Sequence, residues 1–344
     1  MDIEFHYYLT YLIAVRAGFS TDIANIIAYT NQYVDDNIES FKIDEDKPSN
    51  YSNIVTQTMN ILKPKRQLGK IYPLFHFVPG VVRDASLRND GKINPLLTTA
   101  NSPLVNEIMD WALSTDNPFC IGMACHAYAD SWAHQNFSGF FDRINGISGF
   151  PQALVPDIGH ADAGHVPDQI AHVWKDTRLK AEYAVINNNI RFMDAAKHLF
   201  YKFKEYNVPQ SSQDDLEYEG RSLIAELLNA IGPRDEGNQL QQVRIAAYQT
   251  LGLNPEFGSI TIPTYDKNAW FKEAVKLKYV VIPGRDQAQG AQHMTYEWKD
   301  RTGYTHSHWY QFQEAAKLYQ KNAWDIINAV VDIQAYIKDQ EVVS

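Results

Sequence analysis

His126, Asp130 and His134 stand at steps of four inside a stretch that is otherwise largely apolar, CIGMACHAYADSWAHQNFSG over residues 120–139. In a helix, steps of four advance about 40° each, so the three side chains share one narrow face. The helix itself is well signalled. Asn117-Pro118 supplies a cap and a proline at the first helical position, and Gly139 follows a natural end. Phe119, Ile121, Met123, Ala124 and Tyr128 cover most of the cylinder with apolar surface. A helix apolar nearly all round belongs in the middle of a protein, and its His/Asp stripe then faces inward.

That spacing predicts more than one bound ion. The Cα atoms of His126 and His134 are about 12 Å apart along a helix, too far for comfortable ligation of a single metal. Asp130, midway, has two carboxylate oxygens and can bridge two ions. Such an arrangement suits an in-line phosphoryl displacement, in which metals stabilise the attacking and leaving oxygens.

Most of the eleven histidines fall before residue 173. His6 sits in the opening MDIEFHYYLT, and His76 in the apolar IYPLFHFVPG. His160, His165 and Asp168 follow in GHADAGHVPD, and His172 with Asp176 in HVWKD. Asp35 and Asp36 close a helix predicted from Ser20 to Tyr33, where the macrodipole disfavours anions by about 0.3–1 kcal/mol each. Imidazole and carboxylate together form a ligand set favoured by zinc. Cys120 and Cys125 make no C-x-x-C pair, and Cys125 reads as core. His306 and His308 read as an exposed helix start. No Ser-His-Asp or Cys-His nucleophile stands out.

The order His6, an Asp near 35, His76, His126-x3-Asp130, His134, then a later His with Asp resembles the trinuclear-zinc superfamily. That superfamily joins bacterial zinc-dependent phospholipases C to single-strand-specific nucleases. HYYLTYLIAVRAGFS, QYVDDN, HAYADSWAH and GHVPD are also similar to bacterial metallophospholipases C, and the likeness covers roughly the first 180 residues. The resemblance implies two or three Zn2+ ions. The first would take Asp35 or Asp36, His76, His126 and Asp130. The second would take His134 with a pair from His160, His165 and Asp168, with His172 and Asp176 as an alternative pair. The third would take His6 and Asp130, with Asp2 or Glu4 in place of the processed N-terminus of secreted members, or would be weak or empty. Asp130, Asp35 and Asp36 become the candidate catalytic residues. The implied activity is phosphodiester hydrolysis by metal-activated hydroxide. A phospholipase C releasing diacylglycerol and a phosphorylated head group is preferred over a single-strand nuclease or nucleotidase, or a non-catalytic metal-binding protein.

The periodic segments predict an all-α, multi-helix architecture with metal ligands on several helices: 6–17, 21–34, 103–114, 118–135, about 178–205, 215–231, 238–251 and 308–338. KYVVIP (278–283) reads as a short strand or an extended loop. No linker, repeat or low-complexity tract interrupts the 344 residues. One domain is therefore expected: a metal-site core over 1–205, a smaller loop-rich helical lobe over 206–305, and a C-terminal helix over 306–344 returning to the core. The segment 135–158 lacks helical period and holds Phe137, Phe140, Phe141, Ile147, Phe150 and Leu154. It is either an apolar wall or lid over the metals, or a compact loop packed into the core.

The net charge of −10 argues against stable nucleic-acid binding, and no cationic track follows the aromatics. A phospholipid or other phosphodiester, met in transient contact with a membrane surface or lipid aggregate, suits this charge better. The start MDIEFHYY has no basic stretch, apolar run or cleavage site. A cytoplasmic protein, or one exported without a signal peptide and lacking a transmembrane segment, is expected.

Overall fold

The computed structural model describes residues 1–58, 65–147, 158–281 and 292–342. A π-helical turn, Glu4–Leu9, runs into α1 (Thr10–Arg16), followed by α2 (Thr21–Asp36), short strands β1 (Lys42–Ile43) and β2 (Tyr51–Ser52), and α3 (Lys65–Leu68). A second π-helical turn, Tyr72–His76, precedes α4 (Pro103–Ser114) and α5 (Pro118–Ala133). A hairpin of β3 (Val173–Lys175) and β4 (Val185–Asn187) leads to α6 (Asn188–Asn207), α7 (Gln213–Ile231) and α8 (Gln241–Leu251). Then come α9 (Ala269–Ala274), β5 (Val275–Val281), β6 (Gln292–Trp298), α10 (His308–Val330) and α11 (Ile333–Val342).

Side-chain caps set several of these boundaries. Ser20, Ser102 and Asn117 accept from the backbone N–H groups of Ile23, Val105 and Phe119, and Pro103 and Pro118 occupy first helical positions. Every residue of α5 from Phe119 to Ala133 is buried, so its polar stripe does face inward. This helix packs against α2, α4, α6 and α10. At Gly122 the approach to α2 is so close that an added Cβ would lie 2.6 Å from the Ile27 carbonyl oxygen and from Thr30 Cβ. Glycine is what lets those two ligand-bearing helices meet.

The protein is mostly helical rather than all-α. KYVVIP falls partly in β5, which pairs antiparallel with β6 in a four-stranded sheet of order β2-β1-β6-β5; Ile282 and Pro283 lie outside the described residues. The helix expected from about 178 begins instead at Asn188, because the β3–β4 hairpin occupies the preceding residues. Arg178 donates two hydrogen bonds to the Asp176 carboxylate there, both side chains being buried. The long C-terminal helix is two helices. Val331 is extended, and Asp332 then caps α11 by accepting from the Ala335 N–H at 2.9 Å. Ile245, Tyr248, Phe257 and Trp270 join the same core as α5, so the 206–305 segment is continuous with it. Among the described residues, no helix is long and apolar enough to cross a membrane.

Candidate metal centre

The inward stripe of α5 meets three other elements. His6 comes from the first π-helical turn, Asp35 from the end of α2, and His76 from the last residue of the second π-helical turn. His126 Nε2 lies 2.9 Å from His76 Nδ1, 3.2 Å from Asp130 Oδ2 and 3.6 Å from Asp35 Oδ1. On the other side of the carboxylate, Asp130 Oδ1 is 3.2 Å from His6 Nε2 and in contact with the Met1 amine. The two oxygens of Asp130 thus serve different neighbours, as a bridging carboxylate must. His134, the C-cap of α5, points its Nε2 at Asp168 Oδ1, 3.0 Å away, and His160 Nε2 lies 3.3 Å from Asp168 Oδ2. Three ligand groups result: His6, His126 and Asp130; Asp35, His76 and His126; His134, His160 and Asp168.

The outer ring nitrogens reveal the state of the inner ones. His126 Nδ1 lies 2.8 Å from the Asn31 carbonyl, His76 Nε2 2.9 Å from that of Thr56, His134 Nδ1 2.8 Å from that of His76, and His160 Nδ1 2.8 Å from that of Gly164. A carbonyl only accepts, so each of these nitrogens is the protonated one. In a neutral imidazole the nitrogen facing the cluster then carries a lone pair. Two such lone pairs, on His126 and His76, face each other at 2.9 Å among carboxylate oxygens that also only accept. A bound cation reconciles that set, as does a proton on His126, which burial disfavours but Asp130 and Asp35 favour enough to raise its pKa. Both nitrogens of His6 are likewise buried without a hydrogen-bond partner. The donor chemistry fits bound metal, with backbone carbonyls fixing the tautomers as in known metal sites.

Electrostatics agree. Burial raises the cost of charge on Asp130, but His134, the Met1 amine and His126 hold its carboxyl well below the usual range. Asp168 is held low in the same way, against burial, by His160 and the amine. Burial, helped by His126 and the amine, pushes His6 down to about 4. Burial likewise lowers His160. The amine loses solvation by burial, yet Asp130, Asp168 and Asp35 carry it up to about 11. An ammonium here supplies positive charge that the carboxylates otherwise lack.

The chain belongs to DUF6765, a family of unknown function whose model matches residues 1–327. No curated protein and no solved structure matches it.

Some expected residues are placed elsewhere. Asp36 accepts from Tyr265 OH at 2.9 Å and from Gln32 at 3.2 Å, and stands outside the three ligand groups. His165 is exposed, Asp176 is paired with Arg178, and His172 stands outside the groups. Neither Asp2 nor Glu4 reaches the third position: Asp2 accepts from Gln241, and Glu4 is buried against Arg244 and Tyr248. Their role is to anchor. Arg244 of α8 donates twice to Glu4 at 2.8 Å and once to Asp235, which fixes the first residues against the centre. No local sequence pattern announces this clamp, since its partners are 240 residues apart.

The Phe-rich stretch divides. Phe137 and Ile147 pack with Phe77, whose ring stacks on His134 at 4.4 Å, and so form an apolar flank to that end of the centre. Phe140 is instead buried in the main core beside Tyr336. Phe150 and Leu154 lie outside the described residues.

Proposed function

We propose that this protein is a zinc-dependent phosphodiesterase, most nearly a phospholipase C that cleaves glycerophospholipids to diacylglycerol and a phosphorylated head group. The observation that carries the reading is the set of inward lone pairs and carboxylates with one edge open to solvent. Asp35, His160 and Asp168 keep 28%, 18% and 13% of their side-chain surface, whereas His6, His126 and Asp130 keep 1% or less. A structural metal site is closed, while a catalytic one keeps a position free.

His76, His126, Asp35 and Asp130 would hold the first ion, His134, His160 and Asp168 the second, and His6 with Asp130 the third. Zinc bound there supplies Lewis acidity and lowers the pKa of water towards neutrality. The chain's own residues do the rest. Asp130 keeps the ion positions in register from the rigid α5. Asp35, with 28% of its side-chain surface exposed, would take a proton from the attacking water. Phe77 and its apolar neighbours exclude water behind His134. Neither cysteine competes as a nucleophile, since burial pushes the Cys125 thiol well above its usual range and Cys120 up to about 11.

The net charge of −10 favours a lipid phosphodiester over a nucleic-acid strand. A side-by-side assay of phosphatidylcholine and single-stranded DNA with zinc-loaded protein tests this. Diacylglycerol release that stops on chelation and returns with zinc is expected. Preference for the DNA supports a nuclease, and turnover that survives full chelation removes the metal mechanism.

A further inference from the structure

Away from the metal centre, a groove of about 560 Å³ runs between α10, α11 and the segment that follows α3. Among the described residues its lining brings together Lys70, Lys317, Lys321 and Lys338 with no carboxylate, on a chain whose net charge is −10. Lys317 is the one already engaged, with Glu314 at 2.8 Å and over the Tyr51 ring. Among the described residues Lys70, Lys321 and Lys338 enter no ion pair within 4.0 Å. The floor and walls include Leu74, Ile337 and the half-buried Trp324. The volume is that of a small-ligand site, and apolar surface with a few convergent charges is the usual composition of one.

Ammonium groups gathered around one cavity repel each other, and an anion seated among them relieves that repulsion. A single carboxylate matches one of them. A phosphoryl group, with two negative charges and three acceptor oxygens, matches several. Trp324 beside it offers a flat apolar face to whatever bears the phosphate. We infer that this groove is a second binding site, separate from the metals, for a phosphorylated ligand that carries an apolar portion. The frame of the groove is fixed. Gln320 donates to the Lys70 carbonyl at 3.1 Å, and Tyr319 to the Leu74 carbonyl at 3.0 Å. Leu74 belongs to the same π-helical turn as His76, so an occupant touches the element that carries a metal ligand.

The phosphate can come from a lipid head group or from a soluble compound, and two probes separate them. One is inorganic pyrophosphate followed by calorimetry. The other is phosphatidylcholine vesicles containing phosphatidic acid, whose head group is a phosphate monoester, followed by co-sedimentation. Both are run at low ionic strength on the wild type, on Lys321→Glu/Lys338→Glu, and on Asp130→Asn. Lys321 and Lys338 are exposed, so the double variant keeps its fold. At least one probe should bind the wild type and weaken with added salt. That binding should fall about tenfold or more in the double-lysine variant and persist in Asp130→Asn. Vesicle binding alone identifies a lipid head group, and pyrophosphate binding alone a soluble ligand. Absence of binding to both, equal binding by the double-lysine variant, or loss in Asp130→Asn overturns the proposal. Because Asp130→Asn reports on the metal centre independently, failure of this site is distinguishable from failure of the proposed hydrolase.

Discussion

The two ends of the metal centre are built differently. At one end, His126, Asp130, His76 and His6 are held by helical backbone, and each is at most 2% exposed. At the other, His134 meets His160 and Asp168, which come from two 3-10 turns joined through Gly164. The chain enters those turns at Gly159 with φ of +55°, where an added Cβ would lie 2.5 Å from the Phe77 ring. The helical end is rigid because its ligands are also core residues, inseparable from the packing of α2 against α5. The loop end depends on a few turns and one aromatic contact, and both ends reach solvent, Asp35 keeping 28% of its side-chain surface and His160 and Asp168 18% and 13%. Core-packed ligands beside a partly open edge are the combination expected of a site that must hold ions and admit a substrate.

Substitutions at the two ends should separate these roles. Asp130→Asn removes the bridging charge from the rigid end. Hydrolysis should fall by on the order of 10²–10³-fold, with loss of at least one ion per chain in elemental analysis. A variant retaining full activity would break the assignment. Arg244→Met strands Glu4 as a buried charge without its partner and should cost about 3 kcal/mol in urea unfolding. It should also loosen metal at the His6 position before that at His160. Indifference to the change would mean that α8 does not position the first residues.

Smaller effects are expected at the loop end. His160→Ala should weaken one metal by about 10–100-fold, as loss of an orienting or ligating imidazole does, and leave the fold intact. Metal titration by calorimetry reads this, and unchanged binding would transfer the role to another residue. Gly159→Ala should destabilise by about 1–2 kcal/mol through its left-handed backbone and the clash with Phe77. A larger penalty for Gly122→Ala would confirm that the helical end is the less forgiving. His165→Ala should change metal affinity by less than about twofold, the ordinary scale of an exposed substitution.

What was legible in the sequence follows the same division. The spacing of four in α5 and the Asn117-Pro118 cap locate His126 and Asp130, because helical geometry converts sequence distance into direction. The limits of α4 at Pro103 and Ser114 were readable for the same reason. In GHADAGHVPD, by contrast, His160 and His165 are equivalent in composition. What turns His160 inward is the left-handed backbone of Gly159 and Gly164, a tertiary fit that spacing does not encode. Asp35 and Asp36 likewise differ only in which side of the last turn they occupy, and Tyr265, far along the chain, claims the second. β5 is a strand because it pairs antiparallel with β6 along seven residues, a partner that the KYVVIP segment does not itself announce. The amine of Met1 at Asp130 has no sequence signature.

The metal content of the intact protein tests the multinuclear centre most directly. Protein purified without chelators, equilibrated with zinc and freed of excess, should hold about two to three ions per chain by elemental analysis, matching the three ligand groups. Asp130→Asn should hold fewer in the same preparation. Less than about one zinc per chain in the wild type, or an unchanged count in the variant, would contradict the reading of this cluster as a multinuclear centre.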